Sequence, residues 1–252
     1  MRMKGAVLGM LVAASSAAAG SPPARSLPFA GGEHLRYVIR YGIIHAGFST
    51  LNVDEGPVIK GHRTWKITSQ AWSNKVMDVL YNVRDRNESW MDREGLYSHH
   101  FEQDLHEGSY AAKRWIDYNY GAQQFVRIEE RGGKQTRIEG TLPGPVQDVF
   151  SSLYYARTLP LEPGKSYEFL TNSDGKNWTL KINVLRRETV NVKAGKFSCV
   201  VVEPMMLSEG IFKNKGRLLV WLTDDDKRIP VLIRTQVSVG SVSAELTERE
   251  GN

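Results

Sequence analysis

Apolar and polar residues alternate along most of the chain after Leu35, in short stretches rich in β-branched and aromatic residues. Gly, Asn, Asp or Pro separates these stretches, which is typical of strands joined by tight turns. In the segment 35–41 one face of a strand carries Leu35, Tyr37, Ile39 and Tyr41, while Arg36 and Arg40 fall on the other face. The same pattern predicts strands over 65–67, 83–91, 97–105, 110–118, 124–130, 135–139, 166–171, 178–185, 197–203, 215–223, 231–239 and 242–249.

Two segments depart from this alternation and predict helices. Residues 74–80 carry apolar side chains at helical spacing and predict one or two turns. Residues 146–157 lie between Pro143-Gly144-Pro145 and Leu159-Pro160, which is typical helix punctuation at both ends. An apolar stripe on this longer helix is expected to pack against the concave side of a sheet, and consists of Val146, Val149, Phe150, Leu153 and Tyr154.

The strand count predicts the fold class. Short connections without crossover helices indicate antiparallel pairing, and Gly132-Gly133 predicts a hairpin turn. About 13 or 14 strands are more than a flat open sheet usually accommodates without curling. We therefore expect a mainly β protein with one strongly curved antiparallel sheet, or an incomplete β-barrel. The central helix should cover an open mouth or edge of that sheet.

The N-terminus predicts export. Arg2 and Lys4 precede an apolar run, and Ala17-Ala18-Ala19 offers a small-x-small cleavage site. This layout predicts a signal peptide over residues 1–19, a flexible leader over 20–26 and a single β-rich envelope domain over 27–250. The apolar run is shorter than the ~20 residues that span a bilayer, and no later segment is long and apolar enough to do so. The predicted location is the periplasm.

Composition excludes some function classes. The formal net charge is +5, and basic residues are interspersed with acidic ones, so a nucleic-acid binder is not indicated. The only cysteine, Cys199, lies in an apolar strand and is expected to be a buried thiol without a disulfide or a reactive role. Hydrolase and nucleotide-binding motifs are missing from the sequence, so no catalytic residue or cofactor is predicted.

One strand carries residues that could bind a metal. In the segment 98–106, alternation places four polar residues on one face of the strand and His99 on the opposite face. A third ligand from another strand would be required, and none is singled out by spacing. A solvated polar face explains the same set, so no metal ligand is predicted. The set consists of His100, Glu102, Asp104 and His106.

Aromatic residues suggest a ligand pocket. The six tryptophans fall on or near predicted strands, and three of them share faces with polar neighbours. Such rings could line a concave pocket, or they could fill the inside of a curved sheet. The candidate ligand-binding residues are Trp72, Trp90, Trp115, Arg114, Phe150 and Tyr154.

Three segments resemble a known family. They are Glu33–Gly47, then Ser151–Arg157 with Leu161 and Pro163-Gly164, then Val220-Trp221-Leu222 with Arg228-Ile229-Pro230. Together they resemble the bacterial envelope family known as domain of unknown function 3108. The resemblance implies an exported protein of a Gram-negative bacterium, with a half-barrel similar to periplasmic lipoprotein carriers. The family has no established activity, so no catalytic residue is carried over.

These observations favour a non-enzymatic periplasmic protein that maintains the cell envelope. Its curved sheet is expected to bind an apolar or amphipathic ligand, such as a lipid, or an envelope protein. An envelope hydrolase acting on glycan or lipid is the alternative, and it would require a polar cluster with perturbed pKa values inside a cleft. A metal-binding protein that uses the His100 to His106 face is a third hypothesis.

Overall fold

The computed structural model describes residues 26–207, 217–236 and 240–251. The predicted signal peptide and all but the last residue of the predicted leader lie outside these residues. So do the first two residues of the strand expected over 215–223 and the last three of that expected over 231–239. Neither helix in the described part of the chain has the length or the apolar character to cross a membrane.

Fourteen strands and two short helices make up the described structure. The first half contains β1 (Glu33–Tyr41), β2 (Ile44–Ile59), β3 (His62–Ser73), α1 (Lys75–Asp78), β4 (Arg84–Asp92), β5 (Ser98–Glu107), β6 (Tyr110–Asn119), β7 (Gln124–Arg131) and β8 (Lys134–Thr141). The second half contains α2 (Val149–Arg157), β9 (Ser166–Ser173), β10 (Lys176–Val192), β11 (Gly195–Leu207), β12 (Leu218–Thr223), β13 (Pro230–Gln236) and β14 (Ser241–Glu250).

All 14 strands form one antiparallel sheet. Strands β1 to β8 form a meander outward from the centre, and β9 to β14 form a second meander that returns to it. The last strand, β14, therefore pairs with β1, while β8 and β9 form the two edges. The prediction of a mainly β protein with one large antiparallel sheet is confirmed, and the sheet is not closed into a barrel.

The two edges approach each other without forming a ladder. The Arg127 guanidinium lies 2.6 Å from the Asp174 carboxylate, and the Asn177 amide donates a 2.7 Å hydrogen bond to the Thr141 carbonyl. The backbone of Gln147 is hydrogen-bonded to Leu170 and Asn172 at the β9 edge. The segment between β8 and α2 thus bridges the gap.

Helix α2 begins three residues later than expected. Asp148 is its N-cap, and Val146 is a buried residue before the helix. The expected apolar stripe is only partly correct, because Val149 is exposed, while Phe150 and Leu153 are partly buried. The buried face of α2 consists of Ser151, Ser152, Tyr154, Ala156 and Arg157. The helix is thus held by a polar and ionic face as well as by apolar contacts.

Arg157 and Glu33 form a buried ion pair between α2 and β1. The Arg157 guanidinium donates 2.7 Å hydrogen bonds to both Glu33 carboxylate oxygens, and the Tyr154 hydroxyl donates another at 3.1 Å. Arg157 also donates to the carbonyls of Pro28 and Lys227. These bonds satisfy most polar atoms of the pair, as a buried charge pair requires, and Arg157 Nε is left without a partner among the described residues.

The interior is divided into three apolar clusters. The largest lies between the two halves of the sheet and contains Leu35, Ile67, Val201 and Trp221. A second cluster covers the opposite face of β11 and β12, so these two strands are buried on both faces. The third lies beneath the segment before α2.

Candidate functional site

An apolar cleft of about 320 Å³ lies between α2 and the strands β10 to β13. Its volume falls at the lower end of the range of roughly 300–1,000 Å³ that small-molecule sites occupy. The apolar wall formed by the strands consists of Leu180, Ile182, Val202, Pro204, Met206, Leu218, Val220, Leu222 and Ile233.

The register of the strands explains why this wall is apolar. Val202 pairs with Val220, and Val220 pairs with Ile233, so the three side chains form one row across β11, β12 and β13. Ile182 of β10 pairs with Pro204 of β11 and extends the surface. Residues directly opposite each other on antiparallel strands point to the same face, so alternation along each strand produces a continuous apolar floor.

Helix α2 supplies the other wall. Phe150, Leu153 and Ala156 line the cleft at helical spacing. The Phe150 ring also contacts Phe101 of β5, with 6.2 Å between ring centroids. Phe150 therefore links the cleft to the third cluster on the other half of the sheet.

One end of the cleft is polar. Asn172 lines it, and its Oδ1 atom is buried without a hydrogen-bond partner among the described residues. The Asn177 amide nitrogen donates to Thr141, so its Oδ1 accepts from the Asn172 amide nitrogen at 2.7 Å. This chain of amides leaves the Asn172 Oδ1 atom buried and without a partner among the described residues. An unmade buried hydrogen bond costs about 1–3 kcal/mol.

Asp148 is the carboxylate in the cleft lining, and its oxygens are occupied. One oxygen accepts from the N–H groups of Phe150 and Ser151 at 2.8 and 3.0 Å. The other accepts from the hydroxyls of Ser89 and Ser98 at 2.6 Å each. Burial raises the pKa of Asp148, although these four hydrogen bonds oppose the shift. Asp148 therefore acts as a connector that fixes α2 to β4 and β5.

The six predicted ligand-binding residues are divided between the two faces of the sheet. Phe150 lines the cleft, whereas Tyr154 is completely buried in the largest cluster. Arg114 lies on the face of Ile116 and binds the Glu129 carboxylate at 2.8 Å. Of these three residues, Phe150 is the one whose side chain lines the cleft.

The other three predicted residues, Trp72, Trp90 and Trp115, lie on the face opposite to the core residue Ile67. Trp90 pairs with Lys66 and with His100, and packs against both side chains. Trp115 lines an open polar basin of about 550 Å³. Trp72 packs against Phe48 in a separate basin of about 960 Å³, whose lining includes Arg36 and Arg40.

Most residues of the cleft are not among the ligand-binding residues predicted from the sequence. Their apolar character is the same as that of core residues, and only the ladder between distant strands brings them together. The predicted strands contain most of them, but neither the register between strands nor the gap beneath α2 can be obtained from alternation.

The polar face of β5 does not gather imidazoles. His100 binds Asp117 at 2.6 Å and Glu102 at 2.9 Å, while His106 binds Asp104 at 3.0 Å. Among the residues that the structure describes, one group has ligand atoms close enough to share a metal ion. It consists of His62, Asp92 and His99, at the start of β3, the end of β4 and the start of β5.

Burial and hydrogen bonding act in opposing directions on the pKa values of His99 and Asp92. Burial lowers the pKa of His99, and the neighbouring Asp92 carboxylate opposes that shift. Burial acts to raise the pKa of Asp92, but hydrogen bonds from Gly95, His99 and Glu94 outweigh it and lower the pKa.

Cys199 is buried in β11, as expected. Burial raises the pKa of its thiol from 9.0 to about 12, so the nucleophilic thiolate is scarce at neutral pH.

Comparison with protein-family models assigns the chain to a family. The model of the family described as protein of unknown function (DUF3108) matches residues 36–247, so the chain belongs to this family and the suspected resemblance is confirmed. A sequence comparison with curated proteins finds no match.

Comparison with solved structures finds matches of very low sequence identity. A β-barrel-like protein of the domain of unknown function DUF1849 from Brucella abortus has a TM-score of 0.61 and 10% identity, covering 88% of this chain and 98% of that one. A protein of Bacteroides fragilis with a YmcC-like fold, proposed to be exported, has a TM-score of 0.33 and 12% identity, with coverages of 89% and 98%. A proposed lipoprotein of Parabacteroides distasonis has a TM-score of 0.34 and 9% identity, with coverages of 89% and 97%. The first of these supports the fold.

Proposed function

We propose that this member of the DUF3108 family is an exported, non-enzymatic protein that binds one amphipathic ligand in the cleft between α2 and β10 to β13. The main support for this proposal is the continuous apolar wall formed by Val202, Val220 and Ile233, which faces Phe150 and Leu153. The wall is only partly covered: Val202 and Val220 are buried, whereas Ile233, Phe150 and Leu153 are partly exposed. Apolar surface left in water costs about 25 cal/mol per Å². Covering it with an acyl chain or another apolar group recovers that free energy.

The polar end defines the class of ligand more closely. The polar residues Ser152, Thr171, Asn172 and Ser173 that line the cleft are uncharged, so they fit a hydroxyl or amide group at the head of the ligand. Asp148 lies at the same end, but its four hydrogen bonds leave it committed to the protein. These features favour a ligand with an apolar body and an uncharged donor head, such as a hydroxylated or amide-linked lipid.

The proposed site of action is the periplasm. Support comes from the basic start, the apolar run and the small-x-small site within residues 1–19. An exported protein that covers the apolar part of a lipid would maintain the envelope by carrying or holding it between membranes.

A hydrolase is less well supported than a binding protein. Glycoside or ester hydrolysis needs an acid and a base, or an activated nucleophile, facing one cleft. In the described lining of the apolar cleft, Asp148 is saturated by hydrogen bonds and has no carboxylate partner. We therefore assign the cleft to binding.

A fluorescently labelled fatty amide or fatty alcohol, which has an uncharged donor head, tests the proposal. The wild-type chain should bind one probe, and Ile233→Glu should weaken binding at least tenfold because it places a charge against the acyl chain. Ile138→Glu is the matched control, since Ile138 is an exposed isoleucine on the edge strand β8. It should leave affinity within about twofold.

Chain length provides an independent readout in the same assay. Each buried methylene contributes about 0.8 kcal/mol, so removing two carbons should weaken binding by roughly tenfold. Absence of probe binding to the wild-type chain, or equal losses in both variants, would contradict the proposal.

A further inference from the structure

Three neighbouring strands bring two histidines and an aspartate to one end of the sheet. Strand β3 begins at His62, β4 ends at Asp92, and β5 begins at Ser98, next to His99. Because adjacent strands are antiparallel, the start of β3, the end of β4 and the start of β5 lie side by side. None of the three residues lines the apolar cleft.

Both imidazoles converge on one carboxylate oxygen. His62 Nδ1 lies 2.9 Å and His99 Nε2 lies 2.8 Å from the Oδ2 atom of Asp92. One ligand atom from each of the three residues lies within 4.8 Å of the others. Tetrahedral zinc with bonds of about 2.0–2.1 Å separates its ligand atoms by roughly 3.4 Å, so small adjustments would place all three around one ion.

The surroundings hold the carboxylate in place for such a role. The second oxygen of Asp92, Oδ1, accepts from the N–H groups of Glu94 and Gly95 at 2.9 and 2.7 Å. This leaves Oδ2 directed at the two imidazoles. Metal-binding carboxylates are typically oriented by hydrogen bonds to their other oxygen.

The site is enclosed on one side and open on the other. Asp92 and His99 are buried, and the rings of Tyr97 and Tyr120 lie 5.0 and 6.0 Å from that of His99. The His62 side chain is 51% exposed, so an ion could enter from its side. An entry path and a partly dry interior are both expected of a metal site.

We propose that His62, Asp92 and His99 bind one divalent transition-metal ion, with Zn²⁺ as the preferred ion and water in the fourth position. Two imidazoles and one carboxylate favour Zn²⁺ over Ca²⁺ or Mg²⁺, which prefer sets made of oxygen ligands. The ion would join the ends of β3, β4 and β5.

Isothermal titration of the metal-free full chain with Zn²⁺ tests this site. The wild-type chain should bind one ion, and His62→Ala should raise the Kd by at least tenfold, as expected when a ligand is lost. His62 is half exposed, so this variant should fold. Asp92→Asn keeps the acceptor for the turn and removes the charge, and it should also weaken binding at least tenfold.

Two controls separate this site from general surface binding. His106→Ala removes an exposed histidine on β5 that pairs with Asp104, and it should leave the Kd within twofold. Cobalt bound to the wild-type chain should show the intense visible absorption of a tetrahedral centre, and His62→Ala should reduce it. Absence of Zn²⁺ binding, or equal affinities for wild type and His62→Ala, would overturn the proposal. Asp92 would then be a hydrogen-bond acceptor for two histidines and nothing more.

Discussion

Removing the Asp148 carboxylate should destabilise the protein far more than removing an ordinary helix cap. Asp148→Ala leaves the N–H groups of Phe150 and Ser151 without their cap, which costs about 1 kcal/mol. It also leaves the Ser89 hydroxyl buried without its acceptor, at about 1–3 kcal/mol. Ser98 loses its 2.6 Å bond and keeps only a 3.4 Å contact with the His100 carbonyl. The expected total loss is about 3–5 kcal/mol.

Urea denaturation measures this loss as a lower midpoint at an unchanged slope. The matched control is Asn74→Ala, because Asn74 caps the short helix α1 at a partly exposed position and its loss should cost about 1 kcal/mol. Asp148→Asn keeps a capping oxygen and an amide that can bond a serine, so it should lie between wild type and Asp148→Ala. Equal losses in Asp148→Ala and Asn74→Ala would refute the view that Asp148 joins α2 to the sheet.

Three further outcomes follow from other buried or paired groups. Arg157→Met should cost about 3–5 kcal/mol in urea denaturation because it leaves Glu33 buried and unpaired, and a Glu33→Gln/Arg157→Met double variant should recover part of that loss. A recovery of zero would contradict this. Cys199→Ala should cost on the order of 1 kcal/mol without affecting ligand binding, and the thiol should react with maleimide only after unfolding. Hydrogen bonds from Arg84 and Ser73 lower the pKa of Asp78 from 3.8 to about 2, so the stability from this contact should be present above pH 4 and lost as pH falls through 2. Nuclear magnetic resonance titration should return the Asp78 pKa toward 3.8 in Arg84→Ala.

Most strands could be predicted because one face of each contacts the core. Strand β2 was not predicted, since Gly47, Gly56 and Pro57 interrupt its alternation. The structure explains Gly47, because a Cβ there would lie 2.1 Å from the Trp72 carbonyl oxygen on β3. Close approach of two backbones requires glycine at that position, and it removes the side chain on which the pattern depends.

The beginning of α2 could not be located from its apolar residues. Val146 is fully buried, which gives it the appearance of a helical core position, but it lies before the N-cap. The sequence does contain a signal for the true beginning, since Asp148 stands three residues before Ser151 and the two form a capping box. The capping residues therefore mark the start of this helix more closely than the hydrophobic spacing does.

The two candidate sites depended on contacts between distant segments. The tryptophans drew attention to the solvent-facing side of β3 to β6, whereas the cleft is made of aliphatic residues that also occur in any core. His62, Asp92 and His99 could have been linked by noting that they fall at the ends of successive antiparallel strands. Alternation along β5 alone raised the His100 to His106 face as the metal hypothesis, because the pattern within one strand shows nothing of its neighbours.

Native mass spectrometry of the protein purified from the periplasm tests the central claim most directly, because it detects a ligand held in the cleft without assuming its identity. The wild-type chain should carry one copurifying molecule that organic solvent extracts, and Ile233→Glu should carry little or none while Ile138→Glu keeps it. A wild-type chain that is free of any adduct, and that also fails to take up an added amphipathic lipid, would contradict the assignment of the cleft as a ligand site.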